Sequence, residues 1–170
     1  MAVVDIHRLS AADLEVIPAA FAAVGWPGKP AEQYRRYLRE QADGARLILV
    51  ARWTGDFAGY LTVNWDSGYP PFREAGIPEI QDLNVLPHFR RRGIGGALMD
   101  AAEQAIAERG PAAGIGVGLY ADYGCAQRMY ARRGYVPDGR GVTYRGIPVT
   151  PGATVPVDDD LVLMMTRTLR

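Results

Sequence analysis

The segment from Arg90 to Ala97 reads Arg-Arg-Arg-Gly-Ile-Gly-Gly-Ala and is the best equipped part of the chain for chemistry. Glycines at this density let a backbone turn with several N–H groups pointing into one concavity. A helix beginning at Ile94 would add four unpaired N–H groups and a partial positive charge. Such a device suits a phosphate or pyrophosphate, and arginines at its mouth supply charge-assisted hydrogen bonds. Two better-known phosphate loops do not fit. The dinucleotide fingerprint requires a third glycine at position 98, where Leu98 stands, and the Gly-Lys-Ser/Thr of a Walker loop is absent.

Other reactive side chains are scattered. Asp158-Asp159-Asp160 is an acidic run, but consecutive carboxylates of an extended chain point in different directions, so we read a solvated turn rather than a metal site. His7 and His88 have no Cys or carboxylate at ligand spacing, and no metal is expected. Cys125 is the one cysteine; no internal disulfide can form, and we expect a small packing residue.

These residues need elements to position them. A short strand is expected over Val3 to Ile6 and a helix over Ala11 to Val24, capped by Ser10 and closed by Gly25. Trp26-Pro-Gly-Lys-Pro breaks the chain before a second helix, Ala31 to Ala42. Arg46 to Trp53 and Phe57 to Trp65, joined by Thr54-Gly55-Asp56, predict a β-hairpin. Asp66 to Ile77 reads as a loop and Pro78 to Val85 as a strand. From Ile94 to Arg109 an unbroken apolar face at helical spacing opposes Asp100, Glu103, Gln104 and Glu108. Ile115 to Tyr120 predicts a strand whose Gly116 and Gly118 admit close approach by a ligand or a backbone. Asp122 is expected to cap a helix from Tyr123 to Arg133. A strand then starts at Tyr135-Val136, a Gly- and Pro-rich loop follows, and the last strand runs from Asp160 to Thr168. This order predicts one mixed α/β domain over residues 1–170.

Bulk composition excludes several classes. The chain has 170 residues, enough for a sizeable core, and 48% of them are hydrophobic, which argues against disorder. Lys plus Arg and Asp plus Glu each number 19, so no global field favours nucleic acid or an anionic membrane. No run approaches the roughly 18 apolar residues of a membrane span, and the start shows no basic stretch followed by an apolar run. A cytoplasmic protein without nucleic-acid or membrane partners is expected.

Asp82-Leu-Asn-Val-Leu-Pro-His-Phe-Arg-Arg-Arg-Gly-Ile-Gly-Gly-Ala-Leu-Met resembles motif A of the GCN5-related N-acetyltransferases (GNAT), Gln/Arg-x-x-Gly-x-Gly/Ala after a strand ending in Val-x-Pro. Arg90, Gly93 and Gly95 fill its defined positions. Downstream, Ala126-Gln-Arg-Met-Tyr-Ala-Arg-Arg-Gly-Tyr resembles the family's Ala-x-x-x-Tyr-x-x-x-Gly-Phe/Tyr helix. The resemblance implies a central twisted mixed sheet of about six to seven strands flanked by about four helices. It also implies a splay between the strands ending near Val85 and Tyr120.

It further implies an acetyl-CoA-dependent N-acetyltransferase acting on a primary amine, by direct attack in a ternary complex, with a homodimer possible. A small-molecule or antibiotic-like amine is the first acceptor to consider. A protein or peptide N-acetyltransferase and a non-catalytic acyl-CoA-binding sensor are the alternatives. By position, Leu83, Asn84 and Val85 would pair with the pantetheine arm, and the Val85 amide would polarise the thioester carbonyl. Backbone groups of Arg91, Arg92, Gly93, Ile94, Gly95 and Gly96, with Ala97 behind them and the Arg90 and Arg91 side chains nearby, would hold the pyrophosphate. Tyr130 stands at the family's general-acid position; a phenol with a pKa near 10 keeps its proton at neutral pH. Glu79 stands where some members carry a general base, with Asp82 its competitor. Members often have Asn where Tyr123 stands, so Tyr123 would contact the cofactor in another way. Trp26, Trp65 and Asp66 fall where the family frames its acceptor, although aromatic residues there equally suit loop anchors or a dimer contact.

Overall fold

A computed structural model describes residues 3–26 and 29–170. Pro27 and Gly28, part of the expected chain break, lie outside the described residues. The strands are β1 (Val4–Arg8), β2 (Arg46–Trp53), β3 (Asp56–Asn64), β4 (Glu79–Val85), β5 (Ala112–Gly118), β6 (Val136–Tyr144), β7 (Ile147–Pro148) and β8 (Leu161–Thr168). The α-helices are α1 (Val16–Ala23), α2 (Ala31–Ala42), α3 (Pro70–Ala75), α4 (Ile94–Ala107) and α5 (Gly124–Arg132). The fold is mixed α/β, with eight strands among the described residues in the sheet order β1-β2-β3-β4-β5-β8-β6-β7. The resemblance had led us to expect about six to seven strands and four helices. The additions are α3 and the short strand β7.

The chain forms two compact units, Met1–Trp65 with Ile80–Ala105 and Asp66–Glu79 with Ile106–Arg170. In the first, β2 pairs antiparallel with both β1 and β3. The hairpin turn has Thr54 at φ 48° and Gly55 at φ 94°, the left-handed pair that a tight hairpin of right-twisted strands requires. Its core joins Ile17 and Phe21 of α1, Tyr34 and Tyr37 of α2, and Ile48, Val50, Phe57 and Tyr60 of the hairpin. The first helix is shorter than its sequence suggested. A 3-10 turn spans Ala11–Asp13 and α1 starts only at Val16. Pro18 has no N–H to donate to Leu14, so it suits only the first turn of a helix, and α1 begins two residues before it. Asp13 is drawn aside as well, accepting from the Ser10 N–H at 2.9 Å and from Arg52 at 2.7 Å. On α4, Glu103 is buried rather than solvent-facing, one turn beyond the equally buried Met99.

In the second unit, β8 pairs antiparallel with β5 and β6, and β7 hangs on β6. The expected loop over 66–77 contains α3. Pro70 opens it, and Gly76 closes it at φ 66°, the usual asymmetry of proline at the start and glycine past the end. Phe72 of α3 is buried with Tyr69 and Met164, and its ring lies on Gly114, where a Cβ would overlap it. The glycines of β5 therefore serve packing. Gly116 admits Val162 and Met164 side chains, and Gly118 admits the Tyr123 ring. The expected ligand or backbone at these points is replaced by side chains of the same unit. The Gly-rich segment after Tyr135 is the strand β6, broken by a register shift between Pro137 and Val142, where Gly139 and Gly141 take φ 84° and 75°. Tyr123, not Asp122, holds the N-cap position of α5. Cys125 is exposed, so it is not a packing residue.

Candidate active site

The glycine-rich segment has the conformation its composition suggested. Pro87–Phe89 form one 3-10 turn after β4. Arg91 and Gly93 then take left-handed φ values of 61° and 78°, and α4 begins at Ile94. The first helical bond runs from the Ala97 N–H to the Gly93 carbonyl at 2.9 Å. The N–H groups of Ile94, Gly95 and Gly96 belong to the first turn, where no intrahelical acceptor exists. A Cβ added at Gly93 or Gly96 would meet nothing within 4 Å, so open space lies against the turn. Geometry, space and the helix dipole together suit a phosphate-bearing ligand there.

The three arginines are not equivalent. Arg90 donates its Nε to the Val85 carbonyl at 3.2 Å, and its guanidinium stands 5.5 Å from the centre of the Trp26 ring. Arg92 stands 5.2 Å from the Trp53 ring. Arg91 is exposed beside Gly93. Trp26 also packs on Phe21 at 5.6 Å, so in this unit it is a core wall and the stacking partner of Arg90.

Leu83, Asn84 and Val85 are half-buried along β4. Just before them, Asp82 is left-handed at φ 56°, a rare state for a residue with a side chain. Its Oδ1 pairs with Lys29 Nζ at 2.7 Å, and its Oδ2 accepts from the Tyr37 hydroxyl at 2.5 Å. Lys29 also donates to the Tyr60 hydroxyl at 3.2 Å. Burial, then the Asp82 carboxylate, push the Tyr37 and Tyr60 phenols well above their ordinary range. Both oxygens of Asp82 are thus engaged. The cluster had no marker in the sequence. Its members lie on the chain before α2, on α2, on β3 and on β4.

In the second unit Glu79 is buried, and its Oε2 accepts from the Ser67 hydroxyl at 2.5 Å. The Ser67 oxygen in turn accepts from the Tyr69 N–H at 3.0 Å. Ser67 is 1% exposed, and sequence reasoning missed it because a serine in a Gly- and Pro-rich stretch looks like any turn residue. Tyr130 is buried on α5, its ring 6.0 Å from that of Tyr135. Burial alone pushes its phenol up to about 12. Tyr123 lies against Gly118 and donates to Asp159 Oδ1 at 2.9 Å; the Tyr120 hydroxyl donates to the same oxygen. Those two bonds hold the Asp159 carboxyl below its usual range. The acidic run is accordingly three separate anchors. Asp158 accepts from Tyr144 at 2.9 Å, Asp159 from the tyrosine pair, and Asp160 pairs with Arg145 at 3.1 Å. Trp65 is half-buried, with its backbone N–H bonded to the Ala45 carbonyl at 3.2 Å, and Asp66 is exposed.

A glycine-rich turn that opens a long helix after a strand, carrying basic side chains and a left-handed bend, is an arrangement in an α/β protein that suits a phosphate-bearing ligand. The particular family follows from comparison. Residues 26–153 match the Acetyltransferase (GNAT) domain, and the chain belongs to that family. An uncharacterized N-acetyltransferase of Bacillus subtilis, YhfO, is 33% identical over 95 residues, covering 46% of this chain and 60% of the relative. The chain thus spans less than two thirds of that protein's length. Among solved structures, the spermidine/spermine N-acetyltransferase SpeG of Vibrio cholerae aligns over 98% of this chain and 92% of its own, with TM-score 0.67 and 15% identity. The yncA protein of Salmonella typhimurium, solved with its cofactor acetyl-CoA, aligns over 98% and 94%, with TM-score 0.69 and 17% identity. At these identities the structural likeness concerns the fold.

Proposed function

We propose that the protein is an acetyl-CoA-dependent N-acetyltransferase whose acceptor is a primary amine on a small molecule. The observation that carries this reading is the Arg90–Gly96 turn, with left-handed Arg91 and Gly93 ahead of α4 and open space against Gly93 and Gly96. The backbone N–H groups of that turn, with Arg91 beside them, fit a pyrophosphate. Arg90 is spoken for by Val85 and Trp26 and supports the turn instead. When bound, acetyl-CoA supplies the activated acyl carbon and a thiolate leaving group.

The chain's own residues then have three tasks. Backbone groups of Leu83 to Val85 would orient the donor, and the Val85 N–H would stabilise the charge that develops on its carbonyl oxygen. Glu79 takes a proton from the attacking amine, directly or through water, and Ser67 fixes one of its oxygens. Tyr130 would give its proton to the departing sulfur, and its raised pKa keeps that proton in place at neutral pH. Tyr123 contributes an aromatic wall rather than an amide. The reading favours a small amine because SpeG, a fold neighbour, is named for spermidine and spermine. Cytoplasmic location and homodimerisation complete the proposal. Among the described residues no helix is long and apolar enough to cross a membrane.

The test is thiol release from acetyl-CoA against spermidine, an aminoglycoside and a peptide with a free N-terminus. Turnover of a free small amine supports the reading. Turnover of the peptide alone moves the acceptor class to polypeptides. Tight coenzyme A binding without turnover of any amine makes the chain a sensor.

A further inference from the structure

The phosphate turn and the candidate acid and base leave one cluster unused: Lys29, Tyr37, Tyr60 and Asp82. We propose that Lys29 and Tyr37 are positioning residues that lock Asp82 in its left-handed conformation and thereby fix the direction of the Leu83–Val85 backbone. The inference rests on the acetyl-transfer reading, because that backbone is where the donor carbonyl would be polarised.

The conformation at Asp82 needs an external cause. A left-handed residue with a side chain is disfavoured and persists only where its surroundings over-determine it. Three bonds do so here. Lys29 Nζ holds Oδ1 at 2.7 Å, the Tyr37 hydroxyl holds Oδ2 at 2.5 Å, and Asn84 Nδ2 donates to the Asp82 carbonyl at 2.9 Å. The partners are themselves fixed. Tyr37 accepts from Gln33 at 2.9 Å, and Tyr60 accepts from Lys29 at 3.2 Å while standing 3.4 Å from the Tyr34 hydroxyl. Tyr34, Tyr37 and Tyr60 are all buried, so the frame is built into the core of α2 and β3. The far end of the segment is held equally closely. A Cβ at Gly59 would overlap the Asn84 carbonyl oxygen, and the Leu86 N–H bonds to the Ala58 carbonyl at 2.9 Å. Leu83 to Val85 thus run between two fixed points, one made of side chains and one of backbone. An amide held in this way meets a developing oxyanion without reorganising, the condition under which such a donor is worth most.

The experiment uses the full chain and acetyl-CoA isotope-labelled at its carbonyl. The infrared stretch of the bound carbonyl reports polarisation without any turnover, and kcat and KM are measured with spermidine. In the wild type, binding lowers the stretch frequency. Tyr37→Phe, Lys29→Met and Asp82→Ala should each shrink that lowering and cut kcat by roughly tenfold or more, with KM for acetyl-CoA changed by less than about threefold. Asp82→Asn keeps an acceptor for Tyr37 and tolerates the left-handed state, so it should recover most of both signals. If Asp82→Ala does not fold, Tyr37→Phe, which removes one oxygen, decides. A wild-type band and wild-type kcat in Tyr37→Phe and Lys29→Met overturn the proposal, as does a loss confined to KM. A wild type that lowers the band but acetylates no amine refutes the enzymatic reading alone. A wild type with no lowering refutes the positioning role.

Discussion

Ser67 donates its hydroxyl to Oε2 of Glu79 at 2.5 Å from a position only 1% exposed. A bond to a carboxyl group in such a place fixes the acceptor's rotamer, and bonds to charged groups contribute about 1.5–3 kcal/mol. Ser67→Ala should therefore lower kcat by roughly tenfold, with KM for acetyl-CoA nearly unchanged. Ser67→Thr keeps the hydroxyl and should recover part of the loss. Steady-state kinetics of the two variants make the comparison. Equal rates in wild type and Ser67→Ala would remove Glu79 from the mechanism or Ser67 from its support.

Tyr130→Phe deletes the proposed proton donor without changing the ring. General-acid catalysis contributes about 10²–10⁴-fold. A kcat loss in that range is expected, while coenzyme A binds as before by calorimetry. Undiminished turnover would assign Tyr130 to the core alone.

Buried phenols also set the alkaline limit of the fold. Burial raises Tyr130 to about 12, and burial raises Tyr34 likewise to about 12. Tyr37 and Tyr60 are pushed up as well, again by burial first. A group whose folded pKa lies above its unfolded value holds its proton in the native state when the unfolded chain has lost it. The stability it lends is complete below about pH 10, the unfolded value. That contribution falls as pH rises through the folded values. Thermal midpoints should be flat with respect to these groups at neutral pH and drop steeply between about pH 10 and 12. Phenolate absorbance should then appear together with unfolding. Phenolate absorbance from all nine tyrosines in a still-folded chain would contradict the burial.

Gly96→Asp places a charge in the open space against the first turn of α4, where a Cβ meets nothing within 4 Å. Folding should be untouched. Coenzyme A affinity should fall by at least about a hundredfold, because a carboxylate repels the pyrophosphate at short range and fills its place. Calorimetric titration alongside a melting curve tests both halves.

Gly59→Ala has the opposite profile. The added methyl overlaps the Asn84 carbonyl oxygen and sits 3.1 Å from Val85 Cα, both backbone. Overpacking of this kind costs about 1–3 kcal/mol. For a chain of this length each kcal/mol corresponds to about 2–4 °C in Tm. A melting curve within a degree of wild type would show that β3 and β4 separate easily.

What could be read from the sequence was local. The Thr54-Gly55 turn, the apolar face of α4 and the Arg90–Gly96 bend each follow from residues close together in the chain. What could not be read depends on partners far apart. The left-handed Asp82 is held by Lys29 and Tyr37, which are 53 and 45 positions away. Glu79 takes its support from a serine 12 residues earlier, inside a stretch that looked like an unstructured loop. Proline at the start and glycine past the end of α3 were visible, but six residues are too few to show helical periodicity. The glycines of β5 announced close packing without saying what packs, since Phe72 and Tyr123 come from outside the strand. Three adjacent aspartates could not reveal that each has its own phenol or guanidinium.

The sheet order ends on β7, whose two residues are Ile147 and Pro148. Proline has no N–H to offer a further strand, and two residues give an incoming chain almost nothing to register against. The boundary is therefore a terminator. Although Ile147 is 70% exposed, strand-on-strand polymerisation is blocked at this edge by backbone chemistry. Any association of copies there must be made by side chains.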